Sequence, residues 1–171
     1  MKELLLLMLS VTLATASLNN ITSFKANFKQ TITDDKKKVL IYKGDLVAQK
    51  PQNALWRYSS PVKKDVYINS RNVTIIEPEI EQAIVKEIES NFDFFRMIHN
   101  AKKVDKNHLI AHYKNSKFTI EIDNENILSI SYIDEFENDV KITFTQQIVN
   151  KDYHEDTFIP KIPLEFDIIR D

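Results

Sequence analysis

A two-residue period runs through this chain and limits it to half-buried strands. In "FKANFKQTI", Phe24, Ala26, Phe28, Gln30 and Ile32 fall on one face, and Lys25, Asn27 and Lys29 on the other. "FTIEI" groups Phe118, Ile120 and Ile122. "ILSISYI" alternates apolar residues with serines, and "VKITFTQQI" aligns Val140, Ile142, Phe144 and Ile148. Successive strand side chains point to opposite faces, so such runs read as strands with one face in a core and one in water. Polar clusters punctuate them, among them Thr33-Asp34-Asp35, Asn69-Ser70-Arg71-Asn72 and Asp123-Asn124-Glu125-Asn126. The pattern predicts an antiparallel meander curled into a sandwich or barrel.

Gly44 is the only glycine among 171 residues, so neither a P-loop nor a G-x-G-x-x-G phosphate cradle can be written. Left-handed turn positions are expected at Asn, Asp and Ser instead. Cysteine is absent, which excludes disulfides, thiolate metal sites, cysteine nucleophiles and lipidation at an N-terminal cysteine. A net charge of -2 leaves no basic footprint for nucleic acid.

The N-terminus, "MKELLLLMLSVTLATASLNN", opens on Lys2, continues with an apolar run from Leu4 to Leu13 and reaches the small-x-small tripeptide Ala14-Thr15-Ala16. The run is about half of a bilayer crossing. A buried N-terminal helix is one reading; a signal peptide over residues 1–16, cleaved after Ala16, fits the pattern better. Residues 17–171 then form one domain, soluble in the periplasm.

One segment departs from period two. In "SNFDFFRMIHNAKK", Phe94, Met97, Ile98 and Ala101 recur at helical spacing and Phe95 widens the stripe. Ser90 with Asp93 has capping-box spacing. A short helix is expected here. The preceding "EIEQAIVKEIE" suits a helix from Glu79 and a strand equally well. Near the C-terminus, the two prolines of "TFIPKIPLEFDIIRD" suit a loop or an edge strand.

No motif calls for catalysis, a metal or a cofactor. His108 and His112 lack the H-E-x-x-H glutamate and lie in the strand-like "HLIAHY"; Asp34 and Asp35 sit at a loop tip, where nothing desolvates a carboxylate. A G-x-S-x-G elbow is impossible. Apolar binding remains: a β-surface of Phe, Ile, Trp and Tyr under a phenylalanine-rich helix would enclose a greasy pocket, although the same residues also suit a filled core.

The stretch "KPQNALWRYSSP" holds the only tryptophan. Together with its neighbours it resembles the periplasmic outer-membrane lipoprotein carrier proteins, the LolA family. The family pattern starts with F-x-x-x-F-x-Q, here Phe24, Phe28 and Gln30. It continues through a G-x-L strand (Gly44-Asp45-Leu46) and a basic residue before proline (Lys50-Pro51). It then passes W-x-Y-x-x-P (Trp56, Tyr58, Pro61), an E-Q strand (Glu81-Gln82) and a short apolar helix, "NFDFFRMI".

The resemblance implies an incomplete, strongly curved antiparallel β-barrel with a short helical lid, mainly β. It makes residues 79–88 a strand and confines the helix to about 91–101. It implies a periplasmic chaperone that carries acylated lipoproteins from the inner to the outer membrane. Their acyl chains would lie in an apolar cavity walled by Phe24, Phe28, Trp56 and Tyr58 and lidded by Phe94, Phe95, Met97 and Ile98. Lys50 stands where the best-known members carry Arg, and is the candidate lid latch. Implied partners are triacylated lipoproteins, an inner-membrane ATP-binding-cassette exporter and an outer-membrane acceptor. The carrier is expected to be a monomer without cofactor, metal or nucleic acid. The alternatives are another periplasmic hydrophobic-ligand binding protein, or a non-catalytic envelope interaction module.

Overall fold

A computed structural model describes residues 18–70, 72–87 and 93–170; the expected leader over residues 1–16 and the expected capping residue Ser90 lie outside them. The alternating runs become strands β1 (Ser23–Thr33), β2 (Val39–Gln49), β3 (Asn53–Ser60), β4 (Lys64–Asn69), β5 (Asn72–Glu77) and β6 (Gln82–Glu87). Helix α1 (Phe94–His99) follows. After it come β7 (Lys102–Lys103), β8 (His108–Tyr113), β9 (Ser116–Asp123), β10 (Asn126–Ile133), β11 (Asp139–Val149) and β12 (Asp167–Arg170).

All of these strands join a 12-stranded sheet in the order β12-β6-β5-β4-β3-β2-β1-β11-β10-β9-β8-β7. Two meanders are stitched together where β1 pairs with β11, for example Phe28 opposite Phe144. Every described pairing is antiparallel except that of β12 with β6. The end strands β12 and β7 do not meet, so the barrel is incomplete, and α1 is its one described α-helix. The expected open, curved barrel with a short helical lid is the architecture found.

The two faces carry two cores. The inner face gathers Phe24, Ala26, Phe28, Leu46 and Ala48 from β1 and β2 with residues of β8–β11, and α1 adds Phe95, Met97 and Ile98. On the outer face, Val47, Leu55, Tyr67, Ile76 and Ala83 lie beneath the C-terminal segment, which inserts Phe158. That segment is tied down by Asn69 Nδ2 donating to the Phe158 carbonyl at 2.7 Å and by the Tyr153 amide donating to Gln49 Oε1 at 2.7 Å. Of the loop or edge strand expected at its two prolines, the loop is found: Pro160 and Pro163 precede the edge strand β12.

Several expectations need correction. Ile148 does not follow Phe144 inward. A bulge shifts the β1–β11 register between Lys25 and Asn27, Gln146 takes φ 53, and Ile148 emerges opposite Lys25, 45% exposed. One extra residue in a strand reverses the facing of all that follow. Left-handed positions are not confined to Asn, Asp and Ser: Lys37, Glu81, Lys114, Glu137 and Gln146 join Ser70, Asn124 and Asn150. At about 1–2 kcal/mol each, such positions are tolerable where long strand ladders hold the turn closed. Of residues 79–88, the strand occupies Gln82–Glu87, and a 3-10 turn, Pro78–Ile80, precedes it. The helix is shorter than 91–101, and Asp93 is its N-cap.

Candidate functional site: an apolar inner face under a helical lid

The β-wall of the site begins at Gly44. Its backbone φ is ordinary; what it lacks is a Cβ, which would collide with the Arg57 carbonyl oxygen and lie 2.9 Å from the Phe28 ring. The bare backbone lets Phe28 lie flat across β2 and reach two rings of β3. Trp56 and Tyr58 meet it edge-on at 5.0 and 5.1 Å. Phe24 continues the wall, edge-on to Phe144 at 5.3 Å. Such T-shaped pairs are favoured by the ring quadrupoles. Arg57 faces the other way and pairs with Asp45 at 3.0 Å on the outer face.

The polar end of the wall's tyrosine is satisfied. The Tyr58 hydroxyl donates to Gln30 Oε1 at 3.2 Å, which explains a glutamine in an otherwise apolar row. Burial pushes the Tyr58 phenol up to about 12, with smaller contributions from Tyr132 and Tyr42. Lys64 Nζ sits 4.7 Å from the Tyr58 ring centroid and 5.6 Å from that of Tyr42.

The lid is α1, a single short helix. Asp93 Oδ1 accepts from the Phe95 and Arg96 amides at 2.9 and 3.1 Å, satisfying two of the orphan donors of its first turn. Phe95, Met97 and Ile98 are buried and Phe94 half-buried. Phe94 packs on Phe24 at 5.8 Å and on Phe95 at 5.5 Å. The helix backbone itself rests on β8 and on the Leu18–Asn20 turn.

The expected wall and lid residues therefore meet on one face, and the inner face of the sheet is the one that carries them. Beneath the first turn of α1 remains a cavity of about 50 Å³, lined by Leu46, Ala48, Trp56, Ile68, Phe94 and Phe95 among others. That is room for a few waters, not for a hydrocarbon chain. The hollow is closed by its own lid. A far larger open depression, about 1070 Å³, lies on the outside of β1 and β9–β11. Lys29, Lys117, Lys141 and several hydroxyls line it together with Tyr132, Ile133 and Val140, and no residue of the lid borders it.

Lys50 stands exposed at the lid's edge with Nζ 5.9 Å from the Phe95 centroid. Across an open cleft it faces Asp93, Arg96 and His99 of the helical turn. Among the described residues no helix is long and apolar enough to cross a membrane.

A family model described as outer membrane lipoprotein carrier protein LolA matches residues 19–161. The chain belongs to the LolA family of outer-membrane lipoprotein carrier proteins. The outer-membrane lipoprotein carrier protein of Campylobacter jejuni is 41% identical over 151 residues, 88% of each chain. That of Wolinella succinogenes is 31% identical over 159 residues, 92% of each. A LolA superfamily protein from Nitrosomonas europaea shares the fold with a TM-score of 0.53, at 9% identity over 82% of this chain and 91% of its own. The family match ends before β12, which lies outside it.

Sequence reasoning missed two parts of the site. Phe144 backs Phe24, and its place in the alternation of β11 was the available signal. Gln30 was noted as part of a motif, but only the structure gives it the Tyr58 hydroxyl to hold.

Proposed function

We propose that this chain is a periplasmic chaperone that carries acylated lipoproteins from the inner to the outer membrane. The observation that carries the reading is an apolar sheet face covered by a helix whose Phe94 and Phe95 border a residual cavity against Trp56. In the empty state the lid side chains occupy the space that acyl chains take in the loaded state. Each buried Phe, Met or Ile is worth roughly 1.5–3 kcal/mol, and each acyl CH₂ about 0.8 kcal/mol. Binding yields only the difference between the two. A carrier that must release its cargo requires this modest net affinity. Methionine and phenylalanine suit a lid that must fit chains of varied shape.

On this reading Phe24, Phe28, Trp56 and Tyr58 form the acyl-contacting wall, and Phe94, Phe95, Met97 and Ile98 the lid. Lys50 latches the closed lid through its ammonium above Phe95. A cation over a ring at an exposed site contributes about 0.5–1 kcal/mol, a weak latch that cargo can break. The cargo is triacylated lipoprotein, loaded by an inner-membrane ATP-binding-cassette exporter and passed to an outer-membrane acceptor. The protein works as a monomer, performs no covalent chemistry, and reaches the periplasm through a leader at residues 1–16.

The test is release from spheroplasts. The mature protein, residues 17–171, added to spheroplasts should bring lipoproteins into the soluble fraction. Release no greater than with buffer alone, from spheroplasts whose exporter is active, would count against the carrier reading.

A further inference from the structure

The inner face is not uniform. On β8–β10 it is a finished core: Ala111, Ile120, Ile122, Ile127 and Ile130 are all at most 5% exposed. On β3–β6 it is unfinished. Register places Leu46, Trp56, Val66, Ile75 and Ile84 opposite one another on successive strands. Directly opposed residues share a face, so these side chains form one transverse row. Leu46 is buried, but the other four are only half-buried. A parallel row runs beside it through Ala48, Ala54, Ile68 and Val73, with the same half-buried character from Ala54 onward. The cavity under the lid opens between these rows, touching Leu46, Ala48, Ala54, Trp56 and Ile68 and no residue of β8–β11.

The lid divides in the same way. Phe94 and Phe95 border that cavity, whereas Met97 and Ile98 do not. The helix backbone is seated on β8 and on the Leu18–Asn20 turn, on the finished side.

We propose that one acyl chain lies across β2–β6 in the trough marked by Leu46, Trp56, Val66, Ile75 and Ile84. It enters beneath the Phe94–Phe95 end of α1, while the Met97–Ile98 end stays seated. The inference rests on the carrier reading and names which half of the hollow receives the chain. The lengths agree. Four strand spacings span roughly 19 Å. One acyl chain covers about 15 Å, half of a bilayer's hydrocarbon core. The row then meets Ile169 of β12, paired with Ile84 and 45% exposed, so the far end of the trough is open at the sheet edge. On the finished side a chain would have to displace residues that hold the fold together.

The composition supplies the probe. Trp56 is the only tryptophan and lies in the trough, and no cysteine interferes with labelling. Palmitate brominated in mid-chain is titrated into the mature protein, with binding scored independently by displacement of bis-ANS. The expected result is strong quenching of Trp56 emission that saturates together with dye displacement. Photoreactive palmitate should cross-link to β2–β6 and to Phe94 or Phe95. Ile75→Ser, on a half-buried strand position, should weaken binding about tenfold, the equivalent of 1.4 kcal/mol, with its far-ultraviolet spectrum unchanged. Dye displacement without Trp56 quenching, with cross-links on β8–β11, overturns the trough and leaves the carrier reading standing. Absence of any palmitate binding overturns both.

Discussion

Phe28 and Gly44 stand directly opposite each other on β1 and β2, and a side chain on Gly44 would run into the Arg57 backbone carbonyl and the Phe28 ring. The chain's single glycine is therefore spent on a close approach rather than on a turn. Gly44→Ala should lower stability by about 1–3 kcal/mol, the usual cost of overpacking. It should also dislodge Phe28 from Trp56, visible as a change in tryptophan emission of the folded state. Urea denaturation with both readouts checks this, and an unchanged midpoint would contradict the packing described.

Tyr58 makes the protein sensitive to alkali. A free tyrosine titrates near 10, and burial raises this one to about 12. Between those values the unfolded chain holds fewer protons than the folded one, so stability falls as pH rises. The contribution is intact below about pH 10 and lost by about pH 12; its size is on the order of 2–3 kcal/mol. Tyr132, raised by burial and by Asp134, acts in the same direction. Thermal melts from pH 8 to 11 should show the decline, and Tyr58→Phe should flatten it.

The Gln30–Tyr58 hydrogen bond should emerge in a double-mutant cycle. Gln30→Leu alone leaves the Tyr58 hydroxyl without its acceptor and should cost about 1–3 kcal/mol. Combining it with Tyr58→Phe removes both polar ends and should recover much of that loss. Strictly additive losses would show that the two side chains act independently.

On the proposed reading, in which Lys50 latches the lid, removing its charge should let the lid open more often. Lys50→Met keeps the apolar stem and removes the charge above Phe95. At about 0.5–1 kcal/mol the open population should rise two- to fivefold, read as increased bis-ANS fluorescence without loss of melting temperature. Lys50→Arg should shift it the other way, because a planar guanidinium stacks on a ring where an ammonium is only a point charge.

The C-terminal segment is structural. Phe158 is 3% exposed among outer-face residues, and Phe158→Ala should cost about 3–5 kcal/mol. Ending the chain at residue 150 would uncover Val47, Leu55, Tyr67 and Ile76 together, and the product should aggregate. A truncated chain that stays soluble with an unchanged melting temperature would refute the role.

Strand positions were legible wherever one face was buried, because alternation then records burial directly. Phe118, Ile120 and Ile122 are all buried as the period demands. Legibility failed at Ile148, where a bulge reverses the phase without leaving a mark in composition. It also failed on the outer face of β2 and β3. Leu46, Val47 and Ala48 are consecutive and all buried, the signature of a strand covered on both sides. That run was the available signal for the C-terminal strap. Phe24, Phe28, Trp56 and Tyr58 were placed on one wall by residue type and family pattern. The contrast between fully buried residues on β8–β10 and half-buried ones on β3–β6 depends on contacts between distant strands, which no local pattern encodes.

The two outermost strands, β12 and β7, never join. A sealed barrel fixes its girth through strand number and stagger, and can widen only by tearing hydrogen bonds. This sheet has a seam. Its twist can relax and its rim can spread while every ladder stays intact, so the same molecule can adjust its bore to passengers of unequal bulk.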